Sequence, residues 1–221
     1  MKSRQAVFKT REARTTYLAE HYRPYLKGRI LDVGCDQAVL KELIQDIDYF
    51  GIDVGGTPDL ILDLETIQRL PFADDHFHCV VCSDVLEHLD NLHAMFAELV
   101  RVARSHLIIS LPNCWNAARR PLSRGRGHFL HYGLPVQRPG DRHKWFFSTS
   151  EAEAFLRSQA QHIGLDIVDL HTTEKPRSSL IRNLRRLRYP NQSRYLNRYA
   201  HTLWALLAKS PASPNTTGGK N

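Results

Sequence analysis

The sequence shows neither a membrane-length apolar run nor a secretory signal, and a cytoplasmic protein is the expectation. No apolar run approaches the length of a bilayer span. The basic N-terminus, MKSRQAVFKT, has no apolar core, so no secretory signal is expected there. Cysteine is sparse: Cys35, Cys79, Cys82 and Cys114 are the four present. Cys79 and Cys82 fall in one predicted strand, where a spacing of three points them to opposite faces and disfavours a zinc site. Buried, reduced thiols in a cytoplasmic protein are the expectation. There is no internal repeat and no recognised nucleic-acid module. The dinucleotide glycine pattern G-x-G-x-x-G is absent as well.

What is present is a 221-residue chain of ordinary apolar and charged content, enough for one domain with a sizeable core. We expect a single domain over 1–209, with 210–221 a compositionally disordered tail. A lead-in helix is predicted over 8–22. Strands are predicted at 29–34, 48–54, 59–64, 78–83, 106–111, 165–172 and 202–208. Helices are predicted at 37–45, 91–103, 148–163 and 178–188; Ser148 to Glu151 has capping-box spacing. Only the turn GGTP separates the second and third strands, too short for the usual crossover helix, so an abbreviated sheet edge is expected there. Residues 113–147 show no period and read as a lid on the acceptor side, and 174–200 as a basic insertion before the last strand.

The run ILDVGCDQAVL, Ile30 to Leu40, is a buried strand that stops at Gly34 and turns into a helix. Asp53 closes YFGIDV and Asp63 closes DLILDL. Strand-terminal acids around such a turn suit a nucleoside in the crevice of an open α/β sheet. Gly34 lets the ligand approach the backbone. Asp53 can accept from both ribose hydroxyls, and Asp63 from an adenine amino group. Asp32 lies in the strand, near the place of a cationic group. Asp36 would set negative charge beside any phosphate, which argues against a dinucleotide and for S-adenosylmethionine, phosphate-free and positively charged.

Together ILDVGC, the acid in GIDV, LPFADDHFHCVVCSDVLEHLDN and ELVRVARSHLIISLPN resemble class I S-adenosylmethionine-dependent methyltransferases, most nearly the methyltransferase type 11 group. The ISLPN region and the residues after it are similar to the methionine-biosynthesis protein W subgroup. The likeness covers about residues 28–170. It implies an α/β three-layer sandwich around a mostly parallel, seven-stranded sheet with a final antiparallel strand. It also implies cofactor contacts from Gly34, Asp53, Asp63, Leu64 and Ser83. The family's second and third glycines are Asp36 and Ala38 here. Asp tolerates a positive φ better than most residues. Alternatives are a non-catalytic binding protein on a decayed methyltransferase fold, favoured by the lost glycines, and a nicotinamide-dependent oxidoreductase.

Three groups are candidates for acceptor chemistry. Asp84, Glu87 and His88 partly match the E-x-x-E-H that some O-methyltransferases use for a divalent metal. A plain helical turn is the other reading, and no metal is expected. Asp141 to Phe147, DRHKWFF, could supply His143 as a base and Trp145 or Phe146 as a pocket wall, or simply dock as a strand. His128 and His131 are substrate contacts or solvated side chains. His143 and His88 are the catalytic candidates, acting on a small-molecule, glycan or lipid-linked acceptor.

Net charge is +7, with most of the excess after residue 115. The helix over 178–188 alternates arginines with Leu180, Ile181, Leu184 and Leu187. It reads as a helix packed on the sheet with a solvated charged face, or as a peripheral contact for a membrane or phosphoglycan. The basic stretches do not interleave aromatics, and nucleic acid is not expected as a partner.

Overall fold

A computed structural model describes residues 1–129, 131–137, 139 and 142–209. In chain order the elements are β1 (Lys2–Gln5), α1 (Arg11–His21), β2 (Arg29–Val33), α2 (Val39–Leu43), β3 (Asp48–Asp53) and β4 (Leu60–Ile61). Next come β5 (Phe77–Ser83), α3 (Leu92–Val102), β6 (Ala103–Pro112), α4 (Cys114–Arg124) and α5 (Thr149–Ile163). The chain then runs through β7 (Leu165–Glu174), α6 (Ser179–Arg188), α7 (Gln192–Tyr199) and β8 (Ala200–Lys209).

The central strands are apolar on both faces, as a sheet covered on both sides requires. Leu31 and Val33 of β2, Val80 and Cys82 of β5, and Leu107 and Ile109 of β6 face one core, closed by Met95, Phe96 and Leu99 of α3 and Leu156 of α5. Ile30, Cys79, Val81, Ile108 and Trp204 face the other, closed by Leu18 of α1 and Leu40 beside Ile44. Cys79 and Cys82 thus point to opposite faces, and all four cysteines are buried and free. Two helical layers over one sheet make the three-layer α/β sandwich.

Among the described residues the sheet has eight strands in the order β1-β7-β8-β6-β5-β2-β3-β4, not the seven expected. β8 alone runs antiparallel, between β6 and β7. The additional strand is β1, which pairs parallel to β7 from Lys2 opposite His171 to Gln5 opposite Glu174. Its residues KSRQ carry no apolar alternation, because an edge strand held by ladder hydrogen bonds needs no buried side-chain face. The strand expected over 59–64 shrinks to Leu60–Ile61 at the opposite edge. There Asp59 is turned inward to accept from the Gly51 amide (2.8 Å) and from Lys41 (2.9 Å).

Two segments carry more helix than the sequence pattern predicts. The lid over 113–147 begins with a helix, α4, which carries Pro121 inside it and charge along it. The insertion over 174–200 is mostly two helices, α6 and α7. The tail over 210–221 lies outside the described residues. No helix among the described residues is long and apolar enough to cross a membrane.

Candidate active site

The turn after β2 keeps its left-handed geometry without its glycines. Gly34, Asp36 and Ala38 all have positive φ, at 77°, 49° and 52°. A Cβ on Gly34 would stand 2.3 Å from Val85 Cγ2, so no side chain fits between this turn and the loop after β5. Four backbone amides of the turn are committed internally. Gly34 and Cys35 donate to the Ile52 carbonyl (2.8 and 3.3 Å), and Ala38 donates to that of Cys35 (2.8 Å). Asp36 donates its amide to Asp53 Oδ2 at 2.8 Å.

Asp53 ends β3 and clamps both turns, because its other oxygen accepts from Val54 and Gly55 (2.6 and 3.2 Å). The short GGTP link folds back on the first turn: Thr57 donates to the Asp36 carbonyl at 2.7 Å, and a Cβ on Gly56 would strike that oxygen. This contact replaces the wall that a crossover helix would have supplied. Asp36 does not stand as a lone anion, since its carboxylate pairs with Arg11 of α1 at 3.2 Å.

Asp32 is buried in β2 and accepts from the Tyr49 hydroxyl at 2.9 Å. Burial pushes its carboxyl up to about 7, with the Tyr49 hydrogen bond opposing and nearby Asp53 adding to the rise. Cys35 beside it is pushed up to about 12 by burial first and then by the two acids, which leaves a thiol with no nucleophilic character at neutral pH. Asp63 caps a turn, accepting from the Glu65 amide at 2.9 Å, and Leu64 is buried behind it. Ser83, at the end of β5, meets the Ser110 hydroxyl at 2.8 Å.

The loop that leaves β5 runs from Ser83 past Gly34 to His88 and so joins this crevice to the histidines. Asp84 takes a left-handed conformation, accepts from Ser110 (2.5 Å) and pairs with Arg14 of α1. It is thereby engaged elsewhere, and the D-x-x-E-H donor set that the sequence offered as one reading is not assembled. In its place Glu87, His88 and His143 converge, with one ligand-type atom from each all within 4.8 Å of one another. Glu87 is fully buried.

Segment 142–147 docks along that loop as irregular chain, without forming a strand. Lys144 donates its amide to the Glu87 carbonyl (2.8 Å), His88 Nδ1 donates to that of Arg142 (3.2 Å), and Trp145 donates to that of Leu89 (2.7 Å). The Lys144 ammonium bridges Glu65 and Asp90. Trp145 and Phe146 remain partly exposed. Asp141 lies outside the described residues.

His143 is buried, stacked on His131 with ring centres 4.1 Å apart and edge-on to His88 at 4.6 Å. Its Nδ1 lies 2.8 Å from the Tyr132 hydroxyl, which is also 2.8 Å from the Trp145 carbonyl. A carbonyl can only accept, and the same hydroxyl lies 2.7 Å from the Cys114 sulfur, so its one hydrogen is directed to these two acceptors. Nδ1–H of His143 then donates to the hydroxyl, which makes Nε2 the basic nitrogen. His131 is drawn into the site by its stack, and His128 is exposed.

Arg11, Arg14 and Tyr132 are the site residues that sequence reasoning passed over. The arginines stand three apart on one face of α1, a spacing that could have marked them. Nothing in the sequence marks Tyr132.

A family profile described as "Methyltransferase domain" matches residues 8–170. The chain is 31% identical over 156 residues to the ubiquinone biosynthesis O-methyltransferase of Hahella chejuensis, covering 59% of this chain and 61% of that one. It is 29% identical over 132 residues to the bifunctional methionine biosynthesis protein MetXA/MetW of Rhodopirellula baltica, covering 51% and 20%. It therefore spans less than two thirds of either relative. In structure it is similar to a SAM-dependent methyltransferase from Archaeoglobus fulgidus, with a TM-score of 0.63, 15% identity, and 91% and 96% of the two chains covered. With its profile match extending across the glycine turn, the strand-terminal acids and the loop after β5, this chain belongs to the methyltransferase domain family.

Proposed function

We propose that the chain transfers a methyl group from S-adenosylmethionine to a proton-bearing acceptor, with His143 as the base. When bound, the cofactor supplies an electrophilic methyl on a sulfonium that leaves as a neutral thioether. The carrying observation is the turn Gly34–Ala38, which stays left-handed at Asp36 and Ala38 and is clamped by Asp53. A decayed scaffold would be expected to lose that geometry along with its glycines. Asp53 offers acceptors to ribose hydroxyls, and Asp32 offers a buried anion to a cationic group. Asp63, Leu64 and Ser83 complete the proposed cradle, with Asp36 part of the turn itself.

The residues of the chain then handle the proton. His143, held in one tautomer by Tyr132, takes it from the acceptor at Nε2, while His88 and His131 fix the ring from two sides. A hydroxyl acceptor suits this arrangement, since a base matters only where the nucleophile carries a proton. The acceptor class remains a small molecule, glycan or lipid-linked hydroxyl compound.

Incubation with methyl-labelled cofactor and fractionated extract should label one acceptor pool. S-adenosylhomocysteine should raise the melting temperature, and NAD should not. Stabilisation by NAD alone would end this reading, and silence toward both would favour the decayed scaffold.

The convergence of Glu87, His88 and His143 favours a second reading, in which these three side chains would hold a divalent cation and the chemistry it would supply is Lewis-acid activation of the acceptor. Activity lost to a chelator and restored by Mn²⁺ or Co²⁺ would select it; activity indifferent to chelation selects the base.

A further inference from the structure

We propose that α6 docks the protein on an anionic lipid bilayer, and that it is mounted inside out for that purpose. A surface helix normally buries its apolar stripe and turns its charges to water. In α6 no residue is buried. Leu180, Leu184 and Leu187, which share one stripe, are 71%, 57% and 79% exposed, and Ile181 beside them is 41% exposed. This overturns the reading of the helix as packed on the sheet through its apolar side.

The arginines hold the helix down instead. Arg182 reaches the buried Glu174 carboxylate at 3.4 Å. Arg185 lies over the Tyr199 ring at 4.3 Å. Tyr199 also receives Arg119 of α4 and Arg198 of α7, at 5.6 and 5.9 Å. The polar face is thus bolted to the body, and the leucines form the crest.

Charge identifies the occupant. Residues 175–198 carry eight basic side chains and no acidic one, and residues 113–129 add four arginines, again with no acid. A second copy of the chain would set two such faces against each other and repel. A nucleic acid would leave the leucine crest in water. An anionic bilayer satisfies both features: leucines enter the headgroup boundary while the exposed Arg177, Arg186 and Arg188, not the two that anchor the helix, meet lipid phosphates. The surface continues past the end of α6. There a cavity of about 800 Å³ lies between α4 and the α6–α7 turn, walled by Trp115, Leu122, Phe146 and Tyr189 and rimmed by arginines. Trp115 and Leu122 are themselves exposed. This inference does not depend on methyl transfer.

The test is flotation of the full chain with vesicles of phosphatidylcholine alone or mixed with phosphatidylglycerol, at low and high salt. Binding to the anionic vesicles should be at least ~tenfold tighter than to neutral ones and should weaken with salt. The triple variant Leu180→Ser, Leu184→Ser, Leu187→Ser should lose vesicle binding by ~tenfold or more while its melting temperature stays put, because these side chains are exposed. Failure of the parent to float with anionic vesicles overturns the proposal, as does a leucine variant that floats like the parent. Soluble polyphosphate bound equally by parent and leucine variant, without vesicle binding, would identify a polyanion site instead. Concentration-dependent dimers abolished by the same variant would identify a second copy as the occupant, and that too overturns it.

Discussion

Asp32→Asn should stabilise the ligand-free protein above neutral pH and leave it nearly unchanged in acid. The parent carboxyl has its folded value raised to about 7 by burial, against about 4 for an aspartate in an unfolded chain. Between those values the folded protein holds a proton that the unfolded chain has released. Stability therefore falls as pH rises, by about 1.4 kcal/mol per unit across that window, and levels off once Asp32 ionises. Asparagine keeps the shape and an acceptor for Tyr49 but does not titrate. The stability difference, variant minus parent, should grow by about 3 kcal/mol between pH 5 and pH 8. For a chain of this size that is roughly 6–12 °C in melting temperature. Subtracting parent from variant at each pH cancels the other titrations, such as that of buried His171, whose value is lowered to about 4 by burial. Cofactor reverses the preference, because a cationic group beside Asp32 favours the carboxylate. Affinity of the parent for S-adenosylmethionine should rise up to ~tenfold per pH unit below 7 and then flatten, with a proton released on binding. Calorimetry in two buffers of different ionisation enthalpy reads that proton. A variant whose stability difference is flat from pH 5 to pH 8 would refute the account of Asp32.

The turn and the base yield three more expectations. Asp53→Ala removes the acceptor of three backbone amides as well as the proposed ribose contact, so calorimetric affinity for cofactor should fall by at least ~tenfold while the cores, and hence cooperative unfolding, persist. Ala38→Gly relieves a left-handed alanine and should stabilise by up to about 1 kcal/mol in urea unfolding, whereas Ala118→Gly, inside α4, should destabilise by about that much. His143→Ala should lower kcat by ~10²-fold or more with cofactor affinity changed only a few-fold, and Tyr132→Phe should lower it less while shifting the pH profile. Equal turnover of parent and His143→Ala would remove His143 from the role of base.

The sheet was largely legible because each central strand carries its own apolar run between turn residues, and burial on both faces makes that signal continuous. The edges were not. β1 is polar, joined to the sheet by backbone pairing and by polar contacts such as Arg4 to His21, and β4 is two residues long, so neither has an apolar side-chain pattern to read. α4 and α7 escaped because arginines and tyrosines supply much of their contact, and a hydrophobic period does not register stems and rings. α6 was found as a helix but assigned the wrong face, since periodicity gives a stripe and not its direction. In the site, strand-terminal acids were visible from position alone. The meeting of Glu87 and His88 with His143, 55 residues further along, was not. It depends on segment 142–147 docking through one backbone amide, the His88 and Trp145 rings and the Lys144 ammonium, whose partners lie 54 or more residues away in the chain and carry no local pattern.

The discrimination against phosphate rests on amides more than on charge. A pyrophosphate binds where a glycine turn presents unpaired N–H groups at a helix start. In this turn Gly34, Cys35, Asp36 and Ala38 all donate to protein acceptors, and the helix after it has only five residues. The carboxylate of Asp36, which from sequence looked like the repelling group, is partly neutralised by Arg11. Asp53 is the decisive residue, because by taking the Asp36 amide it converts a would-be phosphate donor into a structural clamp. The same carboxylate stands at the strand end proposed to meet the ribose hydroxyls, so on that proposal one side chain both closes the turn to a diphosphate and keeps it shaped for an adenosine.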